Sequence, residues 1–155
     1  MAEKTVVPSV ADLKRFIGVA LGTTGWVTIT QKQIDAFAEA TGDHQWIHVD
    51  PERAKRESPF ETTIAHGYLT LALAPALLPQ ILHVEGCSAI LNYGVEKMRF
   101  PSPVPVDARV RLSAKIVGVR ETPAGASRVT ISFTFEVEGS TRPACHGDAI
   151  LIYRP

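Results

Sequence analysis

The run 67-GYLTLALAPALLPQILHVEG-86 carries no charged side chain from Gly67 to Gln80, and its apolar residues surround a helical projection instead of forming one stripe. A helix of that kind is enclosed by other elements on most sides. Pro75 and Pro79 lie inside it and argue against a membrane span, so other parts of the chain must wrap it. The C-terminal half supplies the wrapper. Residues 89–100, 108–120, 127–137 and 143–153 each read as extended, with the clearest two-residue alternation at Val129, Ile131, Phe133, Phe135 and Val137. Pro101, Pro103 and Pro105 punctuate the first gap, Pro123 and Gly125 the second, and Gly139 the third. Antiparallel, hairpin-like connections are the expected topology.

Upstream, Ser9 and Asp12 resemble a helix start, and Val10, Leu13, Phe16, Ile17 and Ala20 repeat at helical spacing until Gly22. A short strand over 26–29 follows. Thr30 with Gln33 forms a capping box, after which Ile34, Phe37, Ala38 and Thr41 share one face and Gly42 supplies a left-handed C-terminal cap. Asp50-Pro51 then reads as an N-cap followed by proline in the first turn, opening a charged helix, PERAKRE, that Ser58-Pro59 ends. One strand before the helices and four after them, around an enclosed helix, define an α+β class. The expected architecture is the hot-dog fold, a curved antiparallel β-sheet wrapped around a long central helix. No linker, repeat or low-complexity segment divides 1–155, which reads as a single domain.

Sixteen basic residues balance sixteen acidic ones. Nothing in that balance favours nucleic acid or an anionic membrane as partner. Cys87 and Cys145 lack metal-ligand or disulfide-framework spacing, and the N-terminus has no uninterrupted apolar signal region. A cytoplasmic protein with reduced thiols is the expectation.

The stretch 42-GDHQWIHVD-50 places two aspartates and two histidines just past a helix end. A histidine beside a carboxylate can take and deliver protons near neutral pH, which makes Asp43 and His48 the candidate catalytic pair. Taken alone, Asp43 could equally cap the turn after Gly42, with His48 packed in the core. His44 stands four residues before His48, but Gly42 ends the helix before that spacing can secure a metal geometry, and no third ligand stands at the usual spacing. No metal is expected. At 65-AHGYL-69 the enclosed helix opens, and backbone N–H groups at a helix N-terminus suit a developing oxyanion. Gly67 would let a substrate approach that backbone; it could also serve only a tight loop-to-helix entry. His66 reads as a structural neighbour. Arg99 is a candidate for coenzyme A phosphates or a plain solvent-facing residue.

The pattern Phe37-Ala38-x-x-Thr41-Gly42-Asp43-x-x-x-x-His48-x-Asp50-Pro51, followed by Ala65-His66-Gly67 and by 92-NYGVEKMRFPSPVPV-106, resembles the MaoC-like, (R)-specific enoyl-CoA hydratase family. Gln45-Trp46 departs from the Asn-Pro often found between the family's catalytic pair. The resemblance implies a homodimer that adds water reversibly to a trans-2-enoyl-CoA to give an (R)-3-hydroxyacyl-CoA. Asp43 and His48 would then hold the water, and the Gly67 N–H would bind the thioester oxygen. It implies no cofactor, coenzyme A being part of the substrate. Two other readings stay open at this point, an acyl-CoA thioesterase and a non-catalytic acyl-binding subunit. Which of Asp43 and His48 performs which proton transfer also stays open.

Overall fold

The computed structural model describes residues 3–155. In chain order it contains β1 (Thr5–Val7), a 3-10 helix (Val10–Phe16), β2 (Ala20–Thr23), β3 (Val27–Thr28), α1 (Gln31–Thr41), α2 (Trp46–Val49) and α3 (Pro51–Glu57). Then come α4 (Gly67–Ala72), α5 (Ala74–Leu77), β4 (Leu82–Val84), β5 (Ala89–Arg99), β6 (Arg109–Glu121), β7 (Ser127–Val137) and β8 (Cys145–Arg154). The large sheet is antiparallel with strand order β2-β6-β7-β8-β5, and β3 pairs with β6 beside β2. Its concave face closes on α4 and α5, which is the hot-dog arrangement.

β7 shows why the sheet curls round a core. Every second residue from Ser127 to Val137 is buried, and the alternation matches a strand with one face inside. Val129, Ile131 and Phe135 meet Leu112 and Ile116 of β6, Leu151 and Tyr153 of β8, and Leu77, Leu78 and Ile81 from the helical run. Burying each large apolar side chain contributes roughly 1.5–3 kcal/mol.

Three expectations need correction. The N-terminal helix stops at Phe16, because Ile17 turns extended and the chain pairs as β2 with β6 instead of continuing to Gly22. Three short strands, not one, therefore precede α1.

The central helix is also not continuous. Pro75 has no N–H to give the Leu71 carbonyl, so α4 ends at Ala72 and α5 restarts at Ala74; Leu78–Gln80 tightens into a 3-10 turn. The tail of the run forms β4, which pairs in parallel with β1. Nor is the run enclosed on most sides, since Tyr68, Ala72, Pro75, Ala76 and Pro79 are exposed.

Finally, the gap between β5 and β6 is no hairpin, because β5 pairs with β8 at the far edge of the sheet. The proline-rich segment runs as an extended arm beside residues 63–65. Val104 accepts from Ala65 N at 2.8 Å, and Thr63 accepts from Val106 N at 3.0 Å. Among the described residues no helix is long and apolar enough to cross a membrane.

Candidate active site

The Thr30–Gln33 capping box opens α1, and Gly42, at φ 81°, closes it by donating its N–H to the Ala38 carbonyl. A residue with a side chain would be strained at that φ. The chain leaves α1 in a tight turn. Gln45 N donates to Asp43 Oδ1 at 3.3 Å, and α2 follows at once with His48 on it. Asp43 thus caps a turn, as one reading of the sequence had it, while its side chain remains half-exposed.

His48 is buried, with 7% of its surface exposed. Its Nδ1 lies 2.7 Å from the Ile64 carbonyl, and a carbonyl can only accept, so the proton sits on Nδ1 and Nε2 is left bare. Burial is the main reason the His48 conjugate acid lies below its ordinary value; the Ile64 hydrogen bond and the Asp43 charge oppose the shift, and nearby His66 adds to it. The result is a neutral imidazole with one free lone pair. Gln31 at the start of α1 secures the segment, donating Nε2–H to the His48 carbonyl at 2.8 Å and accepting from Thr63 Oγ1 at 2.6 Å.

The tertiary fold adds a third group that spacing along the chain did not place there. His66 lies with Asp43 and His48 in a cluster whose nitrogen and carboxylate atoms are all within 4.8 Å of one another. Three such atoms could in principle share a metal, but His66 Nε2 is 3.0 Å from the Asp43 carbonyl. That contact requires a proton on Nε2, and a metal would have to displace it. His44 stands apart, exposed and 3.6 Å from Glu39. Asp50 caps α3, accepting from Arg53 N at 3.0 Å.

Gly67 follows His66 as the first residue of α4. N–H groups in a helix's first turn have no intrahelical partner. A Cβ on Gly67 would come to 3.0 Å from the Phe100 ring, so the missing side chain leaves room for that ring. Phe100 is partly exposed and packs edge-on against Tyr68, with centroids 5.8 Å apart. Neither contact was visible in the sequence. Arg99, its chain neighbour, is exposed at the end of β5 and donates Nη1–H to the Met98 carbonyl at 3.1 Å. It has no contact with the Asp43–His48–His66 cluster. Beside Tyr68 begins an apolar groove of about 860 Å³, walled by Leu71, Pro75 and Leu78 on one side and by Ile90 and Tyr93 of β5 on the other.

The sheet thus wraps a broken helix, with a carboxylate and a bare imidazole near the helix entry. The chain belongs to the MaoC-like dehydratase family, whose domain model matches residues 12–135, and it is an enzyme of that family. It is 54% identical over 145 residues to 3-hydroxyacyl-thioester dehydratase Z of Mycobacterium tuberculosis, covering 94% of this chain and 95% of that one. Nodulation protein N of Rhizobium leguminosarum bv. viciae is 43% identical, with 93% and 90% of the two chains covered. Among solved structures, the (R)-hydratase from A. caviae involved in PHA biosynthesis superposes with a TM-score of 0.71 at 25% identity, covering 90% of this chain and 96% of that one.

Proposed function

We propose that this dehydratase interconverts (R)-3-hydroxyacyl-CoA and trans-2-enoyl-CoA, with Asp43 and His48 as the catalytic residues. One observation carries the reading: the Asp43 carboxylate and the His48 imidazole, whose Nδ1 is held by a carbonyl so that Nε2 is bare, share one site, a carboxylate oxygen and a ring nitrogen lying within 4.8 Å. In the hydration direction water lies between them. His48 Nε2 takes one of its protons as the oxygen bonds to C3 and the C2–C3 π pair moves into the thioester. The negative charge that collects on the thioester oxygen is met by the Gly67 N–H. The proton held by His48 is then returned to C2 through the Asp43 carboxylate, so both groups end as they began. Dehydration is the same sequence reversed. The thioester itself is the electron sink, and the reaction asks for no metal or redox cofactor.

The acyl chain has room in the apolar groove beside Tyr68. Arg99 is exposed and adjoins Phe100 in the chain, and it is the residue proposed to meet coenzyme A phosphates. Supporting a homodimer is β5, which ends the sheet with its outer edge unpaired among the described residues and with Ile90, Leu91, Tyr93 and Val95 each about half-exposed. An unpaired apolar edge is a template for a further strand, and a second copy can pair with it about a two-fold axis.

Crotonyl-CoA tests the reading directly. Loss of enoyl absorbance without release of free thiol is the expected result, whereas thiol release would indicate a thioesterase. Asp43→Asn and His48→Gln each keep shape and remove proton chemistry, so each should lower kcat by at least about 10²-fold with an unchanged fold. Near-normal turnover in either variant would rule that residue out of the pair.

A further inference from the structure

His66 is the most buried titratable group near the site, 3% exposed, and the mechanism above gives it no step. Three parts of the site nevertheless meet on it. Its Nε2–H is held by the Asp43 carbonyl at 3.0 Å, with an Asp43 carboxylate oxygen 3.9 Å away. Its ring stacks under His48, with centroids 3.9 Å apart and planes inclined by 25°, and Phe37 of α1 closes in at 4.8 Å. Its own main chain begins α4, the carbonyl accepting from Leu69 N at 3.0 Å and from Thr70 N at 3.3 Å, which sets the residue that follows, Gly67.

We infer that His66 is the positioning residue of this site, joining the Asp43 turn, the His48 ring and the Gly67 amide into one fixed arrangement. The inference rests on the proposed hydratase reading. Its physical basis is preorganisation, since a misplacement of about 1 Å between proton carriers can cost on the order of 10²-fold in rate. Stacking supplies a second reason. The two rings lie face to face, and His66 is one of the influences that lower the His48 conjugate acid, which keeps that imidazole free to take a proton. The Asp43 carbonyl holds a proton on His66 Nε2. His66 Nδ1 is buried with no hydrogen-bond partner among the described residues.

Two variants separate the contributions. His66→Phe keeps the ring and both stacks but loses the bond to Asp43. His66→Gln restores a donor of similar reach without the ring. The expected result on crotonyl-CoA is a fall in kcat of about 10–10²-fold for the Phe variant, with KM little changed and partial recovery in the Gln variant.

The pH profile is a second readout. The groups facing the stack are Asp43 from the turn, His48 on α2 and the Ile64 carbonyl, with Phe37 apolar. In the parent enzyme the acid limb of kcat/KM should lie below 6.5, since His48 works when neutral and its proton is lost more easily than usual. Removing His66 takes away one of the influences that lower this value, so the limb should move to higher pH in the Phe variant. A folded Phe variant with the parent kcat and the parent acid limb overturns the inference. So does loss of folding in both variants, which would make His66 structural. Asp43→Asn and His48→Gln run alongside: if these two also keep full turnover, the hydratase reading itself has failed.

Discussion

At Gly67 two demands fall on one residue, an amide for the thioester oxygen and room for the Phe100 ring. An alanine methyl would stand 3.0–3.2 Å from three Phe100 ring carbons, so a loss of activity in Gly67→Ala does not by itself identify the cause. The double variant Gly67→Ala/Phe100→Leu does. Phe100 is partly exposed and can shift, so if the glycine serves substrate approach, Gly67→Ala should lose roughly 3 kcal/mol of transition-state stabilisation and the second change should not restore it. Recovery of kcat/KM in the double variant would show that only ring packing had been disturbed. The pair Asp43 and His48 is legible from sequence because five residues and one tight turn bring them together. His66 is not, since its place under His48 depends on an arm 18 residues further along.

Elements differ in how far local rules decide them. α1 was readable from both its ends, because capping box and left-handed glycine are local hydrogen-bond arrangements, and all of its cap bonds are present. Thr30→Ala removes the side-chain acceptor for Gln33 N and should cost about 1 kcal/mol in a urea melt. kcat should stay nearly unchanged, since Gln31, not Thr30, holds the His48 carbonyl; a large kcat loss would show that the cap also sets the site. The segment after Val10 misled for the opposite reason. Its apolar spacing suits any helix, but only Val10 and Leu13 are buried on the 3-10 turn, and pairing with β6 then draws Ala20–Thr23 into the sheet. In the central run the prolines were visible, yet where the helix breaks follows from which carbonyl each leaves without a donor.

For the whole molecule, the feature that matters most is the outer edge of β5. An eleven-residue strand with exposed apolar side chains and one unpaired edge is a liability in an isolated protomer. In a homodimer through β5, Val95→Lys would place charges at the pairing edge. The expected outcome is a shift to the protomer mass in size-exclusion chromatography with light scattering, with the far-ultraviolet spectrum retained. A variant that stays dimeric would move the interface elsewhere.

The sequence by itself determined the four long C-terminal strands, the caps of α1 and the closeness of Asp43 and His48, because alternation, end signals and tight turns act over a few residues and are written in consecutive positions. Only the tertiary structure decided that β5 pairs with β8 instead of β6, that the proline-rich arm crosses beside residues 63–65, that Phe100 covers Gly67 and that His66 lies beneath His48. Each of those depends on contacts between segments far apart in the chain, where many pairings satisfy the same local pattern and the one that buries the most apolar surface with its polar groups satisfied prevails.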